Sequence, residues 1–341
     1  MPSIFLTPPG LIAALLCTLL LGCDKAPVPA APAAGSAQAP GSPAVAALPA
    51  AGPAETALNA GDKLQGYVQC YNQIDEQAHR TISRYNSWVK DMKIGPTGNE
   101  KVVYGLYQIS SDNIAKCRTV FAQTAAQKPP LAALDAAGAA YMDALASMDK
   151  LIADAYIYYD RENYKDDKFA KGQALHGPLA GSFNAFIKAS EGFSDALDAE
   201  NDVFLNAQLA DIEKTQGRKL PYFQVALMNK AKHLTNAIES EKFDAAKAAD
   251  LLGTFEKITD EAVAYAKANQ GELTSSWSGF ERATEDLRKA AKERVRRVRD
   301  NTPYTEGEKM MLTPSSGWMV DGSVGKLIKA YNALVTASNS M

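Results

Sequence analysis

Histidine and cysteine supply much of nucleophilic and metal chemistry, and both are scarce here: the 341 residues hold three of the first and four of the second. No C-x-x-C pair, H-E-x-x-H helix, G-x-S-x-G turn or G-x-x-x-x-G-K-[ST] loop occurs. A thioredoxin-type redox site, a zincin helix, a nucleophile elbow and a phosphate cradle are thereby excluded. Neither sign of charge dominates. A formal net charge of -3 creates no long-range field of the kind that gathers nucleic acid, so no nucleic-acid partner is expected. A run of ~20 apolar residues able to cross a bilayer is also missing. The apolar stretch Leu11–Cys23 is shorter, and no Lys, Arg, Asp or Glu precedes Asp24.

What is present begins with that stretch. It has the length of a secretory h-region and ends in Leu20-Leu21-Gly22-Cys23. This ending resembles the lipobox of bacterial lipoproteins, in which the cysteine is lipidated and becomes the first mature residue. The alternatives are an ordinary signal peptide with an incidental cysteine, or a short anchor. The apolar length argues against the anchor, and the lack of an Ala-x-Ala ending argues against ordinary cleavage. Residues 1–22 are therefore expected to be a lipoprotein signal and Cys23 the lipidated residue. In many such proteins an aspartate placed like Asp24 resembles an inner-membrane retention address, which favours the inner over the outer membrane.

Residues 23–61 are rich in Ala and Pro, with seven prolines after Ala26. Proline fixes φ and removes donors, and there is little bulky apolar surface to bury, so this reads as a tether. It would span about 110 Å fully extended and roughly 30 to 35 Å as a coil.

From Asp62 to Met341 apolar residues recur at helical spacing, first as Leu64, Tyr67, Val68, Tyr71, Ile74, Ala78, Ile82, Tyr85, Val89 and Met92. Gly95-Pro96-Thr97-Gly98 stops that helix. Further helices are predicted from Val102 or Ser110 to Gln127, from Leu131 to Asn163, and from Asp166 to Thr215. Asp166-Asp167 is the expected cap of the last of these, and Gly177-Pro178 is expected to kink or break it. Others follow over 222–240, 243–269, and from Ser276 or Ser278 to Asn301, and the last spans 324–337. Tyr304–Asp321 reads as loop. The fold class is all-α, an elongated antiparallel bundle of about seven or eight helices without a sheet.

Only Cys70 and Cys117 remain in the helical part, and in an oxidising compartment they are most simply one disulfide, the alternative being two buried thiols. Glu76-x-x-His79 has the i, i+3 spacing of di-iron helices, but a second copy is missing: Gln173 precedes His176, and Lys230 precedes His233. A solvent or capping role for His79 is expected, and no metal or other cofactor is assigned. Asp160, Glu162, Asp166 and Asp167 read as a helix junction rather than an acid–base pair. Ser315-Ser316 has no histidine near it in sequence. Tyr156, Tyr158, Tyr159 and Tyr164, with Trp88, Trp277 and Trp318, read as core packing before a ligand groove. On the helix ending near Asn301, Lys289, Lys292, Arg296 and Arg299 lie opposite Leu287, Ala291, Val295 and Val298. Such a stripe would suit anionic headgroups, although Glu285, Glu293 and Asp300 make an ion-paired, solvated face the usual meaning.

Several short motifs carry a wider resemblance. They are Cys70-Tyr71-Asn72, Arg84-Tyr85-x-x-Trp88-Val89-Lys90-Asp91, Gly95-Pro96-Thr97-Gly98 and Tyr104-Gly105-x-Tyr107. Then come Glu162-Asn163-Tyr164-Lys165-Asp166-Asp167, Phe169-Ala170-Lys171-Gly172, Arg296-Arg297-x-Arg299-Asp300, Pro303-Tyr304 and Ser315-Ser316-x-Trp318-Met319-Val320. In this order, over 62–341, they resemble the YiiG-like family of bacterial lipoproteins. The resemblance implies an all-helical, lipid-anchored envelope protein with no established activity. No complete catalytic constellation occurs in the chain, so a non-catalytic binding or scaffold module is expected, its partner an envelope protein, glycan or lipid. The alternative is a metal-dependent or hydrolytic enzyme whose site assembles from separate helices.

Overall fold

A computed structural model describes residues 59–313 and 315–341, and within them the fold is all-α, with ten α-helices and no strand. The expected signal, tether, Cys23 and Asp24 lie outside the described residues. The helices are α1 Gly61–Trp88, α2 Ser111–Ala125, α3 Ala132–Asp160, α4 Tyr164–Asp167 and α5 Ala170–Gln216. They continue as α6 Leu220–Ile238, α7 Ala245–Ala268, α8 Trp277–Arg299, α9 Glu306–Met311 and α10 Val324–Asn339.

The spine is α5, whose 47 residues span about 70 Å at 1.5 Å per residue. Its first half packs among α1, α2 and α3. Phe183 lies against Tyr85, Phe186 against Tyr141, and Phe193 against Tyr67, Tyr71 and Phe121. Its second half meets α6, where Lys232 pairs with Asp198 at 3.0 Å and Asp202 at 3.2 Å. Beyond α6, helices α7, α8 and α10 complete the second half of the body, and one apolar core runs through both halves.

The periodic positions of α1 from Leu64 to Tyr85 are all buried, as a one-sided stripe requires. The helix ends at Trp88 rather than Met92, because the chain turns to let the Trp88 indole donate to Gly105 O at 2.8 Å. Of the two possible starts for α2, the chain uses Ser110, whose side chain accepts from Asn113 N. Residues 99–110 are irregular.

Three boundaries differ more sharply. The expected break at Gly177-Pro178 does not occur: α5 runs unbroken past Pro178. One missing hydrogen bond costs about 3 kcal/mol, less than burying His176, Leu179, Phe183 and Phe186 on either side returns. Asp166 does not cap α5. Lys168 and Phe169 adopt left-handed φ of 55° and 68°, and Asp167 alone reaches forward to accept from Lys171 N at 2.9 Å. Within the expected loop 304–321, Thr305 and Glu308 form a reciprocal capping box that starts α9.

Candidate functional site

The sequence-derived residues scatter rather than converge. Cys70 and Cys117 form a disulfide joining α1 to α2, with Cα atoms 5.5 Å apart. Glu76 is exposed, and His79 turns instead to Asp75, with Nε2 3.5 Å from Oδ2. Among the described residues, no group of three His, Cys, Asp or Glu side chains is placed to hold a metal ion. His176 bonds Tyr85 and Met92 O, and His233 faces Asp202, so no histidine serves Ser315 or Ser316. Ser316 Oγ donates instead to Met311 O at 2.8 Å, which folds its own loop.

The basic stripe of α8 is ion-paired. Lys292 meets Glu256, Arg296 meets Glu293 and Arg299 meets Asp300, while Lys289 is exposed. Sequence reading passed over Arg294 on the same helix. It is buried and donates to Ile238 O, Gly322 O and Ser240 O, clamping three segments together. A signal existed: Arg294 follows Leu287 by seven and Ala291 by three, which puts it on the apolar stripe.

Inside the first half of the body lies a buried polar chain. Tyr71 and Ser190 hydroxyls share a bond of 3.0 Å, Ser190 donates to Asp75 Oδ1 at 2.6 Å, and His79 lies over Phe186. Burial pushes the Asp75 carboxyl above its ordinary range, against the opposing pull of His79. The Ser190 hydroxyl points at a carboxylate rather than an imidazole and is fully buried, so it is not an activated nucleophile.

The family-type motifs of residues 84–107 and 162–172 do converge, together with Tyr158, Tyr159 and His176, at the far end of α1. Gly95, at φ +86°, leaves room for the His176 ring: a Cβ there would lie 2.6 Å from its Cγ and Cδ2. The ring in turn bridges Tyr85 Oη at Nδ1 and Met92 O at Nε2, each at 3.0 Å. Because a carbonyl only accepts, Nε2 carries the proton and Nδ1 accepts from Tyr85. Burial pushes the Tyr85 phenol up to about 12, which keeps it a donor. Gly105, at φ +62°, and Gly172 both fit against Tyr159, where a Cβ would lie 3.1 Å from its Cβ and 3.0 Å from its Oη, respectively. Trp88, Tyr158, Tyr159 and Phe169 are buried in the same end.

This packed base pins residues 104–110 along one face of α1. Thr81 Oγ1 donates to Tyr107 O at 2.7 Å, and Arg84 Nε donates to Tyr104 O at 3.0 Å. The Arg84 guanidinium sits 4.5 Å from the Tyr107 ring centroid and 5.2 Å from that of Tyr104. Tyr104 and Tyr107 nevertheless remain 49% and 43% exposed. Where this strip reaches α2, it borders a pocket of about 330 Å³ lined by Gln77, Gln108, Ser110, Ser111, Asp149 and Ile152. Partial burial pushes the Asp149 carboxyl up. The pocket thus offers amides, hydroxyls and one carboxyl, and its Gln108 directly follows the exposed Tyr107 in the chain. None of these lining residues was singled out from sequence as a site residue, and Ser110 was read only as a possible helix start. Only Tyr104 and Tyr107 stood in a quoted motif.

The family model described as protein of unknown function (DUF3829) matches residues 59–340. The uncharacterized protein YiiG of Escherichia coli (strain K12) is 35% identical over 281 residues, covering 82% of this chain and 78% of its own. No solved structure matches. A match over nearly the whole helical body, at that identity, makes the chain a member of the YiiG-like family of unknown function.

Proposed function

We propose that this protein is a lipid-anchored component of the bacterial cell envelope that binds a saccharide, without chemically altering it, through the strip and pocket at α1, α2 and α3. Its anchor is the acylated Cys23, followed by the Ala/Pro-rich tether, and its body faces the periplasm. Asp24 favours the inner membrane. Leu20–Cys23 supports the anchor, and the Cys70–Cys117 disulfide is at home in an oxidising compartment.

The observation that carries the binding reading is the pocket lined by Gln77, Gln108, Ser110, Ser111 and Asp149, with exposed Tyr104 and Tyr107 just before Gln108 on the same strip. Sugar rings present apolar C–H faces and a rim of hydroxyls. Phenol rings cover the first, while amide, hydroxyl and carboxyl groups bond the second. Both tyrosines are already ordered by Arg84, so little freedom is lost when a ligand arrives.

The test is calorimetric titration of the full chain in mild detergent with neutral and N-acetylated oligosaccharides. Saturable binding that Y107A and D149N each weaken at least tenfold is expected. A panel without binding, or binding indifferent to both substitutions, overturns the saccharide reading.

A further inference from the structure

A second surface lies on the other half of the body, where the 317–319 turn packs on α10. Met310, Met311, Leu312, Trp318 and Met319 are all exposed, Met310 by 77%, and all fall within ten residues of one another. This is a built surface. Ser316 Oγ bonds Met311 O, the Trp318 indole donates to Ser315 O at 3.1 Å, and Ser323 Oγ donates to Gly317 O at 2.6 Å. Gly325, at the start of α10, approaches so closely that a Cβ would lie 2.8 Å from the Gly317 carbonyl carbon. Five large apolar side chains are therefore held outward on a fixed loop, where a monomer in water gains nothing from them.

One lysine lies on the cluster and two others are near it in sequence. The Lys329 ammonium lies 3.2 Å from the Trp318 ring centroid, and Lys309 and Lys326 flank it in sequence, paired with Glu306 and Asp321. Flexible unbranched side chains and a tryptophan, with a lysine over its ring, make the composition that settles at the headgroup boundary of a bilayer.

Position agrees. The Phe193 ring on α5 touches Tyr67, two turns into α1, so α1 and the tether before it begin at that level of the spine. The ion pairs of Lys232 with Asp198 and Asp202 bring the end of α6 to the same level. Arg294 then joins that end, at Ile238 O, to Gly322 O, where the loop closes. The apolar cluster and the exit of the tether thus share one level of a body about 70 Å long.

We infer that the surface formed by Met310, Met311, Leu312, Trp318 and Met319 seats the body on the bilayer to which the tether leads, with Lys329 facing anionic headgroups. This rests on the reading that Cys23 is lipidated. A tether of roughly 30 to 35 Å as a coil keeps that bilayer within reach.

Tryptophan fluorescence tests it, because Trp88 and Trp277 are only 4% and 2% exposed whereas Trp318 is 43% exposed. The full chain is reconstituted into vesicles of phosphatidylethanolamine and phosphatidylglycerol with brominated acyl chains. A blue shift and a loss of emission that W318F removes and M310D/M319D abolishes are expected. Unchanged emission in bromolipid vesicles that co-float the protein overturns the proposal. So does shielding of Trp318 from acrylamide without bromolipid quenching, which would mark a protein partner. Mass spectrometry of Cys23 reads the anchor separately. If Cys23 is unmodified, the same quenching measured on chain added to preformed vesicles still decides the surface.

Discussion

Lys63 is a sharp place to break this fold. It has no exposed surface, and its Nζ faces Ala125 O, Gln127 O and Pro129 O at 3.1, 3.2 and 3.2 Å and Asp135 Oδ2 at 2.8 Å. One ammonium thus gathers the carbonyls at the end of α2 and a carboxylate in the first turn of α3. Lys63→Met keeps the aliphatic stem and removes the charge and donors. Taking one partner from a buried ion pair costs about 3 to 5 kcal/mol. Asp135 is 19% exposed and keeps Tyr67 Oη and Leu131 N as donors, which places the loss at the lower end, about 3 kcal/mol. Urea unfolding followed by circular dichroism at 222 nm should show the midpoint fall with the slope unchanged. K63M/D135N should lose less than the sum of the two single changes by more than about 0.5 kcal/mol, because the two residues share one network. A K63M loss under about 1 kcal/mol, or strict additivity, would refute the claim that this charge is what joins α2 to α3.

Four further outcomes follow from the same geometry. Gly95→Ala puts a Cβ 2.6 Å from His176 at φ +86° and should cost more than about 1 kcal/mol in a thermal melt, with part of the loss recovered when His176→Ala makes room. The double change Cys70→Ser/Cys117→Ser opens a loop of sequence separation 47, and the chain-entropy model gives a loss of about 4 kcal/mol, read in the same urea experiment. Asp75, whose carboxyl is raised by burial, favours folding below its unfolded pKa and loses that contribution as pH rises through the folded one. Asp75→Asn should therefore be more stable than the parent at pH 7, by a margin that shrinks on acidification, and a less stable variant at pH 7 would mean that the His79 attraction outweighs burial. Tyr104→Ala/Tyr107→Ala, at exposed positions, should leave stability within about 0.5 kcal/mol per site while abolishing the saccharide titration.

The helices were legible because each hides one stripe, and the spacing of Leu64, Tyr67, Tyr71, Ile74, Ala78, Ile82 and Tyr85 already states which side of α1 faces inward. Local chemistry sets such ends as Ser110, one of the two starts read for α2, and Asp244, which caps α7 where the sequence placed the helix start at 243. The missed features are tertiary. Pro178 looks like a break until the rings that α5 buries on both sides of it are known. Lys63 looks like a surface cation, and only distant carbonyls at the end of α2 make it internal. Arg294 sits on an apolar stripe by spacing, but the carbonyls of α6 and the 322 turn that satisfy it are distant in sequence. Thr305-x-x-Glu308 was a local signal and still went unread, since the helix it opens is only six residues long. The pocket draws on α1, α2, α3 and the strip before α2, so no window of sequence contains it.

The residues packed at the far end of α1 divide by exposure, and on the proposed saccharide reading the division separates support from recognition. Tyr85, Trp88, Tyr159, Gly172 and His176 are buried, and each has a partner that only packing demands. Gly105 accepts the Trp88 indole and leaves space for Tyr159, which fixes the course of the strip but presents no chemistry outward. Tyr104 and Tyr107 satisfy no core and cap no helix. Arg84 holds both rings from its side of α1. Arg84 also donates to Tyr107 Oη at 3.0 Å, so the base orders the rings without covering them. On the proposed saccharide reading, a ligand would cover the exposed faces that remain, and the pocket beginning at Gln108 would supply its polar partners.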